Sequence, residues 1–468
     1  MNGIKTNENV SKNVALFITT LGAFLTPYMS SAVNLALPAI GTEFKMSAVS
    51  LTWIATAYLL AAAIFLVPFG KLADIYGRKR IYTYGVAVYT LSAVMLALSN
   101  SEIELIAFRL VEGLGAAMLF GTGAAILTSV FPPGERGKAL GINIAATYFG
   151  LSMGPFLGGL LTQHFGWRSV FLINVPLGVL IIILVLWMLK GEWAEAKGEK
   201  FDILGSVIYG LALTLAIYGI SLLPSNFGAL FILAGIVVLI AFAVIESKAE
   251  SPVLDIRLFR NNRVFTFSSL AAFLNYSSTY AIAFFLSLYL QYIQGFSPQN
   301  AGLILLAQPA VQAIFSPSAG RLSDRMEPRI VASAGMALTV LGIFSLVFLG
   351  ESTSISVVIA SLMILGLGFA LFSSPNTNAI MSAVPRRFYG VASGTVGTMR
   401  LTGQMFSQGI AMLVSALYVG SAQIVPSNYP LFLMAMHAAF IILTLLCSAG
   451  ILFSLARGRA NPALQPKG

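Results

Sequence analysis

Runs of about 20 predominantly apolar residues, each long enough to cross a bilayer as a helix, recur along the whole chain, and no other feature limits its fold so severely. They centre near residues 25, 59, 90, 118, 151, 179, 213, 237, 279, 310, 340, 366, 404 and 443. Hydrocarbon offers no water to backbone N–H and C=O groups, so runs of this length must satisfy themselves as helices. Composition agrees: 57% of the 468 residues are hydrophobic and 9% charged, against about 25% charged in soluble domains. The first apolar stretch, Val14 to Ile40, is too long for the hydrophobic region of a cleaved signal. The expected fold is an all-α integral membrane protein with 14 transmembrane helices in the plasma membrane.

The net charge of +10 raises the possibility of a nucleic-acid partner, and its distribution argues for none. With helix 1 starting inside, all of the 27 lysines and arginines fall on cytoplasmic segments except Lys45 and Arg168 outside and Arg109 and Arg400 within helices. That alternation follows the positive-inside rule for an even number of spans, so both termini are expected in the cytoplasm. A single cysteine, Cys447, excludes an intramolecular disulfide.

No segment between the spans is long enough for a soluble domain, which places function in the membrane part. Gly70-Lys-Leu-Ala-Asp74 and Gly320-Arg-Leu-Ser-Asp324 repeat 250 residues apart. Six runs precede residue 190 and six follow residue 263, which reads as a duplicated six-helix unit, an architecture of transporters. The expected organisation is a bundle over 1–190, two inserted helices and a linker over 191–262, and a second bundle over 263–468. Residues 252–263 mix apolar and basic side chains and fit either a helix lying on the membrane surface or a plain linker.

Gly150-Leu-Ser-Met-Gly154 satisfies the G-x-S-x-G nucleophile elbow of hydrolases. That elbow needs a preceding strand with a histidine and an acid nearby, whereas residues 139–163 carry no charge and read as a spanning helix. Gly150, Gly154 and Gly158 recur every four residues instead, lining one face where another backbone can come close, and Pro155 removes a backbone hydrogen bond.

Several stretches carry a family resemblance. Gly70-Lys-Leu-Ala-Asp74-Ile-Tyr-Gly77-Arg78-Lys-Arg80 resembles the loop signature of the major facilitator superfamily, and Arg109-Leu-Val-Glu112-Gly113 its fourth-helix motif. Gly150-x-x-x-Gly154-Pro155-x-x-Gly158-Gly159 resembles the fifth-helix motif of its antiporters. Asn34-Leu-Ala-Leu-Pro38, Trp53-Ile-Ala-Thr-Ala-Tyr58, Trp167 to Pro176 and Ser374-Pro375-Asn376-Thr377 are similar to the fourteen-span drug:proton antiporters of that superfamily. The resemblance implies a major facilitator fold with two six-helix bundles plus two inserted helices, working as a monomer without cofactor or metal. It also implies a conformational role for Gly70, Asp74, Gly77 and Arg78, for Gly150, Gly154, Pro155, Gly158 and Gly159, and for the weaker second copy at Asp324.

The chain holds no phosphate loop of the G-x-x-x-x-G-K-[ST] form, so uphill movement would draw on an ion gradient or the membrane potential. A proton carrier must be titratable within the membrane, where each such group costs roughly 2.5 to 3.5 kcal/mol on insertion scales. Only Glu112 lies well inside a span. Here the sequence departs twice from the family it resembles: Met29 replaces the usual helix-1 aspartate, and Glu112 replaces the usual fourth-helix glutamine. At 1.5 Å per residue, Met29 lies about 25 Å above the inner end of helix 1 and Glu112 about 12 Å below the outer end of helix 4, which puts them at matching depths. Glu112 reads either as the proton-coupling group, with Arg109 as its partner, or as a neutralising partner of Arg109 and nothing more.

Met29, Asn34, Arg400, Tyr289 and Phe372 are the residues expected to face a small-molecule substrate, although apolar members of such a set also serve as ordinary packing. The expected function is export of small amphipathic compounds, of the multidrug type, in exchange for protons. An exporter of one metabolite or organic anion, without coupling, is the alternative within the class; a sensor that has lost transport, or a lipid-handling enzyme, is the alternative outside it.

Overall fold

The computed structural model describes residues 12–132, 135–249, 252, 259–260, 262–384, 389–420 and 422–458. Among them the chain is helical throughout, without strands. The helices are α1 Lys12–Phe44, α2 Ala48–Tyr76, α3 Arg78–Ala97, α4 Glu102–Val130, α5 Arg136–Phe165, α6 Arg168–Leu172, α7 Asn174–Met188, α8 Ile203–Ser221 and α9 Asn226–Glu246. They continue as α10 Arg263–Leu288, α11 Pro298–Leu305, α12 Ala307–Arg325, α13 Pro328–Leu346, α14 Ile355–Ser382, α15 Tyr389–Tyr418 and α16 Tyr429–Ala456. A π-helical turn, Tyr289–Ile293, extends α10. Serine and asparagine caps mark several starts: Ser47, Ser101, Ser225 and Asn262 each accept a hydrogen bond from the first turn of the following helix, satisfying an otherwise orphan donor.

Twelve segments of the described chain are long and apolar enough to cross a membrane. Two helices stand at the remaining positions where the sequence suggested spans. In α3, three cations open the helix and tyrosines, threonines and a serine follow; α15 carries glycine, threonine, glutamine and arginine through its length. Both are diluted by polar residues that face protein rather than lipid, as in the fully buried Tyr89 of α3 and Gln408 of α15. The stretch 253–258 within the expected surface segment lies outside the described residues.

The outer surface is what hydrocarbon requires. Trp187, Ile203, Leu204 and Phe227 are each more than 60% exposed, an apolar exterior that a water-soluble protein would not carry. The inserted pair α8–α9 forms a close hairpin whose Gly210 meets Ile64 of α2, while Ile217 and Ile220 meet Gly409 of α15. It therefore seats against both helix groups, α1–α7 and α10–α16.

Inside the first group, α5 packs on α1 along the glycine ladder. A side chain at Gly150 would meet the Phe24 carbonyl, at Gly154 the Tyr28 carbonyl and Ser31, and at Gly158 the backbone of Ala32. Beyond this contact α5 reaches into the second group, where Gly159 lies against Pro298 and Gly302 against the Pro155 carbonyl. One helix thus touches α1 and α11 at small-residue positions, and bulk at these points would separate the backbones.

Candidate functional site

The start of α1 and the end of α16 lie at one end of the molecule, here the terminal end. At the opposite end the two helix groups are joined. Ser287 donates to the Asn34 carbonyl (2.6 Å), Tyr292 to the Pro38 carbonyl (3.2 Å), Gln299 N to Gln163 (3.2 Å) and Ala48 N to the Ala422 carbonyl (3.2 Å). Closer to the middle, Ser30 hydrogen-bonds Tyr280. Toward the terminal end, a side chain at Gly394 of α15 would meet open space, while one at Gly397 would meet Leu66 of α2 in the other group.

Just inside the joined region is a cavity of about 30 Å³ lined by Pro27, Ser30, Tyr58, Leu59, Phe120, Thr147, Leu151, Arg400, Leu401 and Gln404. Its walls come from α1, α2, α4 and α5 on one side and α15 on the other. It holds a water or two and is far below the 300 Å³ or so of a typical ligand pocket, so a substrate requires the groups to shift. Arg400 sits in this wall with its guanidinium over the Phe120 ring, 5.2 Å from the centroid.

Behind the cavity wall lies the buried ion pair. Arg109 donates to Glu112 through Nη1 and, through Nε, to the Ile54 carbonyl at 2.9 Å, and its guanidinium stacks 4.5 Å from the Tyr58 ring centroid. Both charged residues are effectively inaccessible. The local sequence explains the approach: a side chain at Gly113 would collide with the Tyr58 carbonyl, so glycine there lets α4 lie directly on α2. Among the described residues Glu112 Oε1 lies outside hydrogen-bonding geometry, and the nearest hydroxyl that bears on the carboxylate is that of Tyr89 of α3. Tyr89 in turn donates to the Leu25 carbonyl of α1 at 3.5 Å. The pair is thereby connected to the cavity through Tyr58 and to the turn of α1 below Met29 through Tyr89.

Of the residues expected to face substrate, the structure places Arg400 in the cavity wall. Met29 is buried beside Asn174 (Nδ2 to Sδ 4.0 Å), and Asn34 lies at the seal, where its carbonyl accepts from Ser287. Tyr289 donates to the Gly350 carbonyl (2.8 Å), and Phe372 is core beside Gly335. The cavity residues that sequence reasoning missed are chiefly Ser30, Tyr58, Phe120, Thr147 and Gln404. Tyr58 stood inside a quoted motif; the others had no signal beyond helical phase.

At the terminal end of the first group, the charged loop is a closed network. Gly77 sits at φ +119°, a conformation open to glycine, and turns the chain from α2 into α3. Arg78 pairs with Asp74 (2.8 Å) and donates to Ser129 (2.5 Å) and the Ala125 carbonyl (3.2 Å) at the end of α4 and to Glu195 (3.1 Å). Glu192 accepts from Lys79 N (2.8 Å) and Arg80 N (3.2 Å), and Lys71 pairs with Glu199 (2.5 Å). The segment after α7, which reads in sequence as a plain charged connection, is docked on this loop through three glutamates. Gly70 faces Gly121 of α4. In the second group Arg457, just beyond α16, is buried and donates to Ser268 (3.2 Å) and Asn376 (2.9 Å), tying α10, α14 and α16 together. Burial pushes its guanidinium down to about 10. The side chain of Asp324 lies outside the described residues.

The family model described as Major Facilitator Superfamily matches residues 19–400 and 268–467. The chain is 30% identical over 449 residues to the riboflavin transporter RibZ of Clostridioides difficile (strain 630), covering 95% of this chain and 97% of that one. It is 32% identical over 415 residues to the multidrug resistance protein Stp of Mycobacterium tuberculosis (strain CDC 1551 / Oshkosh), covering 87% and 76%. The crystal structure of a bacterial homologue of the human lysosomal transporter Spinster, inward-facing and unoccupied, superposes with TM-score 0.70 over 98% of this chain and 100% of that one, at 18% identity.

Removing the centre of the loop network tests whether it holds the docked segment. Arg78→Ala is expected to raise the rate at which a cysteine at Ala194 reacts with a water-soluble maleimide about tenfold, or about 1.4 kcal/mol. Unchanged reactivity would show that Glu192 and Glu199 hold the segment alone.

Proposed function

The chain belongs to the Major Facilitator Superfamily, and from that premise we propose that this membrane transporter exports small amphipathic compounds in exchange for protons by alternating access. The observation that carries the reading is the Arg109–Glu112 pair, inaccessible and one aromatic ring away from a cavity between the two helix groups. A paired carboxylate at this depth is stable while charged; once protonated it releases Arg109 to the Ile54 carbonyl and the Tyr58 ring. Proton arrival thus changes what holds α4 against α2. The groups facing the pair are Tyr58 of α2, Tyr89 of α3 and, from the second group, Tyr280.

Names of relatives support the direction of transport: one is a multidrug resistance protein and another exports the antibiotic cephamycin. The positive-inside pattern of the loops supports cytoplasmic termini in the plasma membrane. In that orientation the joined end faces outward and the terminal end inward, with the network around Arg78 on the cytoplasmic side. We take α3 and α15 as spans too, giving 14 crossings, with bundles over 1–190 and 263–468 and the inserted pair in 191–262, acting as a monomer. The glycine contact of α5 with α11 is the surface on which the groups rock, while the ladder of α5 on α1 holds the first group together.

Substituting the carboxylate tests the coupling. Glu112→Gln is expected to abolish substrate-induced proton movement in proteoliposomes while equilibrium substrate binding survives, and Glu112→Gln with Met29→Asp to restore part of it. Wild-type proton flux in the single variant would make Glu112 only the structural partner of Arg109. For topology, an impermeant thiol reagent added to intact cells is expected to modify cysteines at Asn100 and Ser225 but not at Lys79. Equal access at Asn100 and Lys79 would remove α3 from the spans.

A further inference from the structure

Arg400 is a charge in the membrane region that the protein leaves unanswered. Arg109 is held by Glu112 and the Ile54 carbonyl; Arg400 makes no hydrogen bond or ion pair with any described residue, and its neighbours are the Phe120 face and the Tyr58 and Tyr276 hydroxyls. A guanidinium has five donors and no acceptor, and an intramembrane charge without a partner is a costly feature that normally marks a ligand path. Arg400 lines the cavity together with Gln404, one turn along α15, and faces Ser30, Thr147, Tyr58 and Phe120 on the other helix group. The next residue of that face, Gln408, is fully buried, and neither polar atom of its amide has a partner among the described residues. Polar donors run along one helix face opposite an aromatic wall.

Resting on the transporter reading above, we propose that Arg400 receives the carboxylate or sulfonate of the transported compound, so that the substrates are amphipathic organic anions. The guanidinium offers two parallel N–H groups to a carboxylate, a fit a point charge lacks. Tyr58 and Phe120 take the apolar part, and Gln404 a further polar atom. An anion neutralises the cavity as it binds, whereas a lipophilic cation adds a like charge beside Arg400 and is rejected. Exporting a monoanion for one entering proton moves two positive charges inward, so an interior-negative potential drives the exchange.

Equilibrium binding to the purified full chain needs no gradient and so separates this proposal from proton coupling. The probes are naphthalene-2-carboxylate, naphthalene-2-carboxamide and naphthalen-2-ylmethylammonium, measured in phosphatidylcholine nanodiscs. The carboxylate is expected to bind about tenfold more tightly than the amide, with the ammonium weakest. Arg400→Gln should erase the preference while keeping amide binding and a monodisperse protein, and Arg400→Lys should retain part of it. Equal binding of all three, tightest binding of the ammonium, no binding of the carboxylate, or a preference that survives Arg400→Gln overturns the assignment. Nanodiscs rich in phosphatidylglycerol are expected to leave carboxylate binding unchanged; its loss there would give the site to a lipid headgroup instead. Failure of the antiport reading would appear separately, as absent proton flux with the carboxylate preference intact.

Discussion

The cost of placing charge in hydrocarbon governs this molecule. Most charged side chains of the described residues are kept at or near the ends of the helices, and two of those that remain inside, Arg109 and Glu112, are committed to one another. Arg109 and Glu112 neutralise one another within one turn of α4, and Arg109 spends its remaining capacity on the Ile54 carbonyl and the Tyr58 ring. Breaking such a pair by removing one partner typically costs about 3 to 5 kcal/mol, because the survivor stays buried. Protonating the carboxylate would likewise leave Arg109 as the surviving buried charge, held by the Ile54 carbonyl and the Tyr58 ring alone, so the charge state of Glu112 bears directly on how α4 packs against α2.

Close backbone approach is the second constraint. The seal between the two groups is made where α5 meets α11 at glycines and where main-chain carbonyls of α1 accept from α10 and its π-helical turn. Such contacts have little side-chain bulk to rearrange, so two rigid groups can separate along them. At the terminal end, Arg78 gathers α2, α4 and the segment after α7 into one body, and Arg457 does the same for α10, α14 and α16. The two networks stiffen each group separately, which is what a rocking motion about a central cavity needs.

The membrane-spanning helices were legible because burial in lipid writes itself into long uninterrupted apolar runs. The ion pair was legible for the converse reason: a lone acid inside such a run stands out, and Arg109 three residues away shares its face. Facing was much less so. Arg400 could be singled out as a charge, but Met29, Tyr289 and Phe372 are apolar residues in apolar helices, and nothing in the sequence distinguishes a cavity wall from the core where the structure places them. Ser30, Thr147 and Gln404 were overlooked because a small polar residue in a span often bonds its own helix, as Ser152 does with the Tyr148 carbonyl. The docking glutamates Glu192, Glu195 and Glu199 read as solvent-exposed loop charges, since their partners lie more than 100 residues away. The polar content that lets α3 and α15 face protein is also what weakens them as spans.

The central claim is that the charge state of Glu112 sets the relative position of the two helix groups. Spin labels at Tyr76 and Met326, on opposite groups at the terminal end, report that separation by double electron–electron resonance. The account predicts a distance distribution that shifts between mildly acidic and mildly alkaline pH in the wild-type background and stays fixed with Glu112→Gln. A pH response of equal size in the Glu112→Gln background would contradict it.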